Sequence, residues 1–287
     1  MMLNIDHIVT GAMLVIGAYI VFFVGKIIHS LFHREYNLTE ELVARDNPAV
    51  ALSLVGYYAG LVLCIGGALT GPSNGMMEDM IDLGLYGFLS IFLLNASWFL
   101  CDRLILYKFK VSEELLRDHN QGTGVVSFGI SIASGLVIYG SVSGEGGNIW
   151  TAVIFWALGQ LILILAGLLY SWIVPFDIHE EIEKDNVAAG VSFAGALIAM
   201  GLVIGLSAEG DFSSFREDLP TYVAFSLLGL IMLPLIRFLT DKVLLPTVRL
   251  ADEIIAGTAD QEKPNVGAAY IEAFSYIAAA FIIFWCV

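Results

Sequence analysis

Eight separate runs of predominantly apolar residues leave this chain few folds to choose from. They cover roughly 8–30, 49–70, 82–106, 122–142, 149–173, 187–207, 221–245 and 266–287. A helix of about 20 apolar residues crosses the roughly 30 Å hydrocarbon layer of a bilayer. With 58% hydrophobic and only 14% charged residues, the chain has far less charge than a soluble domain of its 287 residues would carry. The expected fold class is an all-α membrane protein with eight transmembrane helices, in contact with a lipid bilayer. Cys64, Cys101 and Cys286 lie far apart and form no C-x-x-C, so neither a zinc site nor a redox pair is expected. The net charge of −15 disfavours nucleic acid and gathers cations.

Polar hinges repeat between the runs. Glu113-Glu114-Leu115 leads through Asp118-His119 to Asn120-Gln121-Gly122-Thr123-Gly124. Glu40-Glu41-Leu42 leads to Asn47-Pro48-Ala49-Val50-Ala51, and Glu180-Glu181-Ile182 to Asn186-Val187-Ala188-Ala189-Gly190. The fourth copy runs from Asp252-Glu253-Ile254 to Asn265-Val266-Gly267-Ala268-Ala269, with a stretched connection from Ala256 to Pro264. Four hinges imply four helical hairpins. An Asn before a helix accepts hydrogen bonds from the free N–H groups of its first turn, so Asn47, Asn120, Asn186 and Asn265 read as hinge caps. Pro48 suits the first helical position.

The halves match at a constant offset of 139 residues: Arg45-Asp46-Asn47 falls on Lys184-Asp185-Asn186, and Asp102-Arg103 on Asp241-Lys242. The chain therefore reads as two tandem four-helix units, residues 1–146 and 147–287, each of two hairpins. Parallel repeats of this kind are related by axes along the membrane normal. A pseudo-fourfold ring and two side-by-side bundles are both compatible with the pattern. Twelve of the 13 Lys and Arg residues flank the hinge connections, leaving Arg216 as the exception. The positive-inside rule then puts the hinges in the cytoplasm and both termini outside. Within each hairpin the second helix is rich in Gly, Ala and Ser. Small faces let helix backbones approach, so the second helices should be the inner ones.

The run of acidic segment, Asn and small-residue helix, twice per four-helix unit, resembles a bacterial inner-membrane family catalogued as domain of unknown function 350. The resemblance covers essentially the whole chain as two tandem copies. It implies an integral, multi-pass plasma-membrane protein and supplies no activity or catalytic residues.

Glu272 lies seven positions after Asn265, about 10 Å along the eighth helix. An ionisable group at that depth needs a partner, a proton or water. A proton or cation site and a packing-locked glutamate both remain open readings. Asn95, Gln160 and Ser127 are candidate inner-helix polar contacts. Asp102 and Asp241 are expected to anchor helix ends at the interface, with an i,i+4 pair possible between Arg237 and Asp241. His29 and His33 have spacing that can suit a metal but lack an evident third ligand, so they read as interfacial. No H-E-x-x-H, G-x-S-x-G or phosphate-binding loop is present, and neither enzymatic activity nor a cofactor nor a bound metal is expected. The leading functional expectation is cation or proton permeation past Glu272. The alternative is a non-transporting scaffold whose acidic cytoplasmic hinges dock a soluble protein partner. An oligomer is compatible with either.

Overall fold

A computed structural model describes residues 5–34, 37–255 and 263–286. Its helices are α1 (Ile5–Phe32), α2 (Pro48–Leu69), α3 (Met76–Leu104), α4 (Val111–Leu116), α5 (Gln121–Val142), α6 (Ile149–Ile173), α7 (Ile178–Glu183), α8 (Val187–Ala208), α9 (Phe215–Leu239), α10 (Leu250–Ile255) and α11 (Val266–Cys286). There is no strand among the described residues. The eight long helices are each apolar enough to cross a membrane, and the short α4, α7 and α10 lie in the hinges. A π-helical turn, Glu40–Ala44, replaces the short helix in the first hinge, and a second, Thr240–Leu244, prolongs α9.

Helices α3 and α9 begin about six residues before the apolar runs do, because the acidic pairs Glu78-Asp79 and Glu217-Asp218 form their first turns. Carboxylates are favoured at the positive end of a helix. Asp79 also accepts from Ser73 Oγ and Asn74 N, and Asp218 from Ser213 N and Ser214 N, tying the preceding loops down.

The helices form two layers. In the inner one α2 packs on α5, α5 on α8 and α8 on α11, and no comparable contact closes α11 back onto α2 among the described residues. The arrangement is thus an open row, neither a ring nor two separate bundles. Counting from the hinge Asn of each inner helix, positions 2, 9, 13 and 20 face the next helix, and positions 4, 8, 15 and 19 face the previous one. Gly56 meets Phe128, Gly129 meets Ala194, and Gly195 meets Ala273, all position 9 against position 8. Gly60 and Gly135 pair in the first seam just as Ala133 and Gly201 do in the second. A Cβ on Gly129 would lie 2.7 Å from Ala194 Cα, so these seams are backbone-to-backbone contacts that only glycine permits. In lipid such packing supplies the attraction that the hydrophobic effect supplies in water.

The outer layer is α1, α3, α6 and α9. Helix α3 lies over α2 and α5, α6 over α5 and α8, and α9 over α8 and α11. Helix α8 is the most enclosed of the eight. Helix α11 lies in the inner row as expected but ends it, so one of its faces meets no further helix of the row among the described residues. At positions 9 and 20, where its counterparts carry mostly small residues, it presents Phe274 and Trp285, 64% and 73% exposed. The opposite end of the row shows Val55 and Val62 of α2. Bulky end faces close the array, as capping repeats do in solenoids.

Candidate functional site

The hinges are built alike from their backbone outward. The residue before the cap takes the left-handed conformation in three of them: Asp46 (φ 48°), His119 (φ 52°) and Asp185 (φ 59°). Asp, Asn and His tolerate this region better than most residues. The turn delivers the Asn side chain onto the next helix start. Asn47 Oδ1 accepts from Ala49 N and Val50 N, Asn120 from Thr123 N at 2.8 Å, Asn186 from Ala189 N at 3.0 Å, and Asn265 from Ala268 N at 3.1 Å.

The other side of each amide carries further contacts. Nδ2 of Asn47, Asn120, Asn186 and Asn265 donates to Glu41, Glu114, Glu181 and Glu253, each the second member of its acidic pair. It also reaches the following hinge: Asn47 to Leu115 O (2.8 Å), Asn120 to Ile182 O (2.7 Å) and Asn186 to Ile254 O (2.9 Å). Asn265 makes no such bond to another hinge among the described residues. The caps thereby form a ladder along one end of the inner row. Asp185 adds a rung by accepting from Gln121 N and Gly122 N of α5. The last hinge cannot copy the left-handed turn, because Pro264 precedes Asn265 and proline fixes a negative φ. Much of its stretched connection, residues 256–262, lies outside the described residues.

In the first two acidic pairs the roles divide by exposure. Glu41 and Glu114 are buried, whereas Glu40 and Glu113 stay half-exposed. Burial pushes the Glu114 carboxyl above the usual range, and the Asn120 hydrogen bond opposes that shift. Arg45 bridges both Glu40 and Glu41 at 2.9 Å. Lys184 pairs with Glu180 and Glu181, and Lys108 with Asp177, the cap of α7. The Lys108 contact holds the Asp177 carboxyl below its ordinary range.

Inside the membrane layer Glu272 is fully buried and paired with Arg237 of α9. Tyr276 OH donates to Glu272 Oε1 at 3.2 Å, and Arg237 Nη1 reaches Tyr170 OH, whose ring stacks on Phe193. Four helices, α6, α8, α9 and α11, thus meet at one ion pair. Glu272 Oε2 has no hydrogen-bond partner among the described residues. Arg237 therefore turns to Glu272 and does not pair with Asp241. Asp241 instead pairs with Lys242 and accepts from Leu250 N at 2.8 Å, fixing the start of α10. Asp102 stands in the same relation to Val111 at the start of α4. These aspartates hold hinge helices in place where helix-end anchoring was expected.

The other candidates belong to separate groups. Asn95 donates to Tyr57 OH at 3.0 Å and to Ile91 O. Gln160 Nε2 contacts Cys101 Sγ at 2.9 Å, leaving Oε1 unpartnered. Ser127 is buried on α5 at the position that Glu272 holds on α11. His29 and His33 stack at 4.1 Å, flanked by Tyr57 and Trp98. No group of three or more His, Cys, Asp or Glu residues suited to a metal occurs among the described residues. Sequence reasoning missed Arg237, Tyr170 and Tyr276 as partners of Glu272, and it missed the hinge-to-hinge bonds. The recurrence of an Asn after each acidic pair was the one available signal for the latter.

The model of the family described as Domain of Unknown Function (DUF350) matches residues 2–142 and again 146–287. The chain belongs to that family. The two matches support a tandem duplication. A UPF0719 transmembrane protein of Aquifex aeolicus (strain VF5) is 25% identical over 271 residues, covering 93% of this chain and 96% of that relative. No solved structure matches. The protein is a multi-pass transmembrane member of a family whose role is uncharacterised.

Proposed function

We propose that this protein is a non-transporting, non-enzymatic scaffold of the bacterial inner membrane, with both termini outside. Its four hinges form a platform in the cytoplasm for a soluble protein partner. The hinge ladder carries this reading. Three side-chain bonds of 2.7–2.9 Å fix each hinge against the next, which a passive loop would not need. The exposed acids Glu40, Glu113 and Glu180 stand on successive hinges, so the ladder sets their spacing. The bias of Lys and Arg toward the hinge connections supports the orientation. Glycine seams along the inner row, and an arginine on Glu272, support the absence of a conducting path.

The experiment joins two measurements. Photo-crosslinkers placed at Glu113 and at Glu145 are compared in cells, alone and with Asn120→Ala. An adduct formed from Glu113 only, and lost with Asn120→Ala, is expected. Proton or potassium flux in proteoliposomes above that of empty vesicles overturns the reading.

One observation favours a second reading, proton or cation permeation. Glu272 Oε2 is buried, unpartnered and beside a tyrosine pair. Flux that Glu272→Gln abolishes would select it.

A further inference from the structure

A furrow of about 770 Å³ opens in the outer layer between the end of α1 and α3. Its wall follows one face of α3 through Phe92, Asn95, Ala96, Phe99 and Arg103. The eleven helical rises from Phe92 to Arg103 make it about 16 Å long. It runs from the middle of the apolar span to the hinge side, where Lys110 and Ser112 line its end. Phe92, Phe99 and Tyr107 are 60%, 51% and 57% exposed, so the furrow faces the bilayer rather than the protein interior. An apolar channel of this length, charged at one end only, has the shape and polarity of a lipid.

The charged end carries both signs. Asp102 lines the furrow, and its Oδ1 is buried without a hydrogen-bond partner among the described residues. The Arg103 guanidinium sits 4.8 Å from the centre of the Phe99 ring, and Lys110 stands at the mouth. The tandem duplication places a second groove at the equivalent point. Pro234, Phe238, Asp241 and Arg249 occur there in place of Asn95, Phe99, Asp102 and Lys110. That copy is smaller, about 270 Å³, and its acid is already bonded to Lys242 and Leu250 N. Acid and base at the hinge end therefore recur in both units; in the first, Lys110 pairs with Glu113 and Asp102 accepts from Val111, and Asp102 Oδ1 alone is left without a partner among the described residues.

We propose that the first furrow binds a phospholipid with a primary-amine headgroup, one per chain. An acyl chain lies along Phe92 to Phe99, the phosphate meets Arg103 and Lys110, and the ammonium meets Asp102. A primary ammonium donates hydrogen bonds to a carboxylate, which a quaternary ammonium lacks the N–H to do. A glycerol headgroup brings no cation for the aspartate.

The full chain is delipidated in detergent and offered phosphatidylethanolamine, phosphatidylcholine or phosphatidylglycerol of equal chain length. Retained lipid is counted by native mass spectrometry. One phosphatidylethanolamine per chain is expected, held about tenfold more strongly than the other two, as one charge-assisted hydrogen bond would give. Asp102→Asn, which keeps an acceptor for Val111, should erase that preference, and Asp241→Asn should leave it intact. Ala96→Trp fills the furrow and should expel the lipid at unchanged melting temperature. If Asp102→Asn unfolds the protein, the headgroup comparison and Ala96→Trp decide alone. Equal retention of the three lipids, retention of none, or retention by a folded Ala96→Trp overturns the proposal.

Discussion

Arg237 of α9 and Glu272 of α11 form an ion pair within the membrane layer, with the glutamate fully hidden and the arginine side chain only 10% exposed. Leaving one member of such a pair without the other is costly, of order 3–5 kcal/mol, because a buried charge remains uncompensated. Arg237→Met should therefore destabilise the protein strongly. Replacing both, as Arg237→Met with Glu272→Met, should restore much of the loss. Unfolding in detergent, followed by circular dichroism, checks the order single far below double.

The glycine seams predict a contrast between two like substitutions. Gly129→Val drives a side chain into the Ala194 backbone, whereas nothing lies within 4 Å of a Cβ on Gly84. Overpacking costs typically 1–3 kcal/mol, and more where backbone is the obstacle. Gly129→Val should lower the melting temperature sharply and Gly84→Val should not. A thermal-shift series over both variants measures it.

Asn120 and Asn265 both cap an inner helix, yet only Asn120 also holds the next hinge. Losing a cap costs about 1 kcal/mol. Asn120→Ala should lose that plus a buried cross-hinge bond, and Asn265→Ala little beyond the cap. Hydrogen exchange at α7 should rise in Asn120→Ala and stay unchanged in Asn265→Ala.

Glu114 gives the hinge a dependence on pH. Burial raises its folded pKa above the ordinary carboxylate value of 4.5. The folded state then binds more protons than the unfolded one between those two values, so stability falls as pH rises through that window. Asp177, lowered by Lys108, acts oppositely: its contribution is present above pH about 4 and fades as pH falls through its folded pKa. Denaturation curves from pH 4.5 upward should show a shallower decline in Glu114→Gln than in the unsubstituted protein.

Much of this architecture is legible in the residues. The eight spans follow from apolar length alone, and the four Asn caps follow from local helix-end chemistry. Small residues on α2, α5 and α8 announce close packing. What those residues leave open is which neighbour each small face meets, so ring, bundles and open row are indistinguishable before the seams are seen. The i,i+4 spacing of Arg237 and Asp241 is a local cue, overridden because Glu272 would otherwise be a lone charge in lipid. The second contact of the Asn47, Asn120 and Asn186 amides joins residues 62–68 apart in the chain, a separation that no local pattern reports.

The seam between α5 and α8 repeats the register of the seams on either side of it, although it joins the two stretches that match the family separately. A polypeptide of one unit alone would end in the bare glycine face of α5, with Gly122, Gly129 and Gly140 turned to lipid. It would have to recruit a second molecule to cover that face. The fused chain makes this encounter intramolecular, and its assembly no longer depends on how much protein the membrane holds.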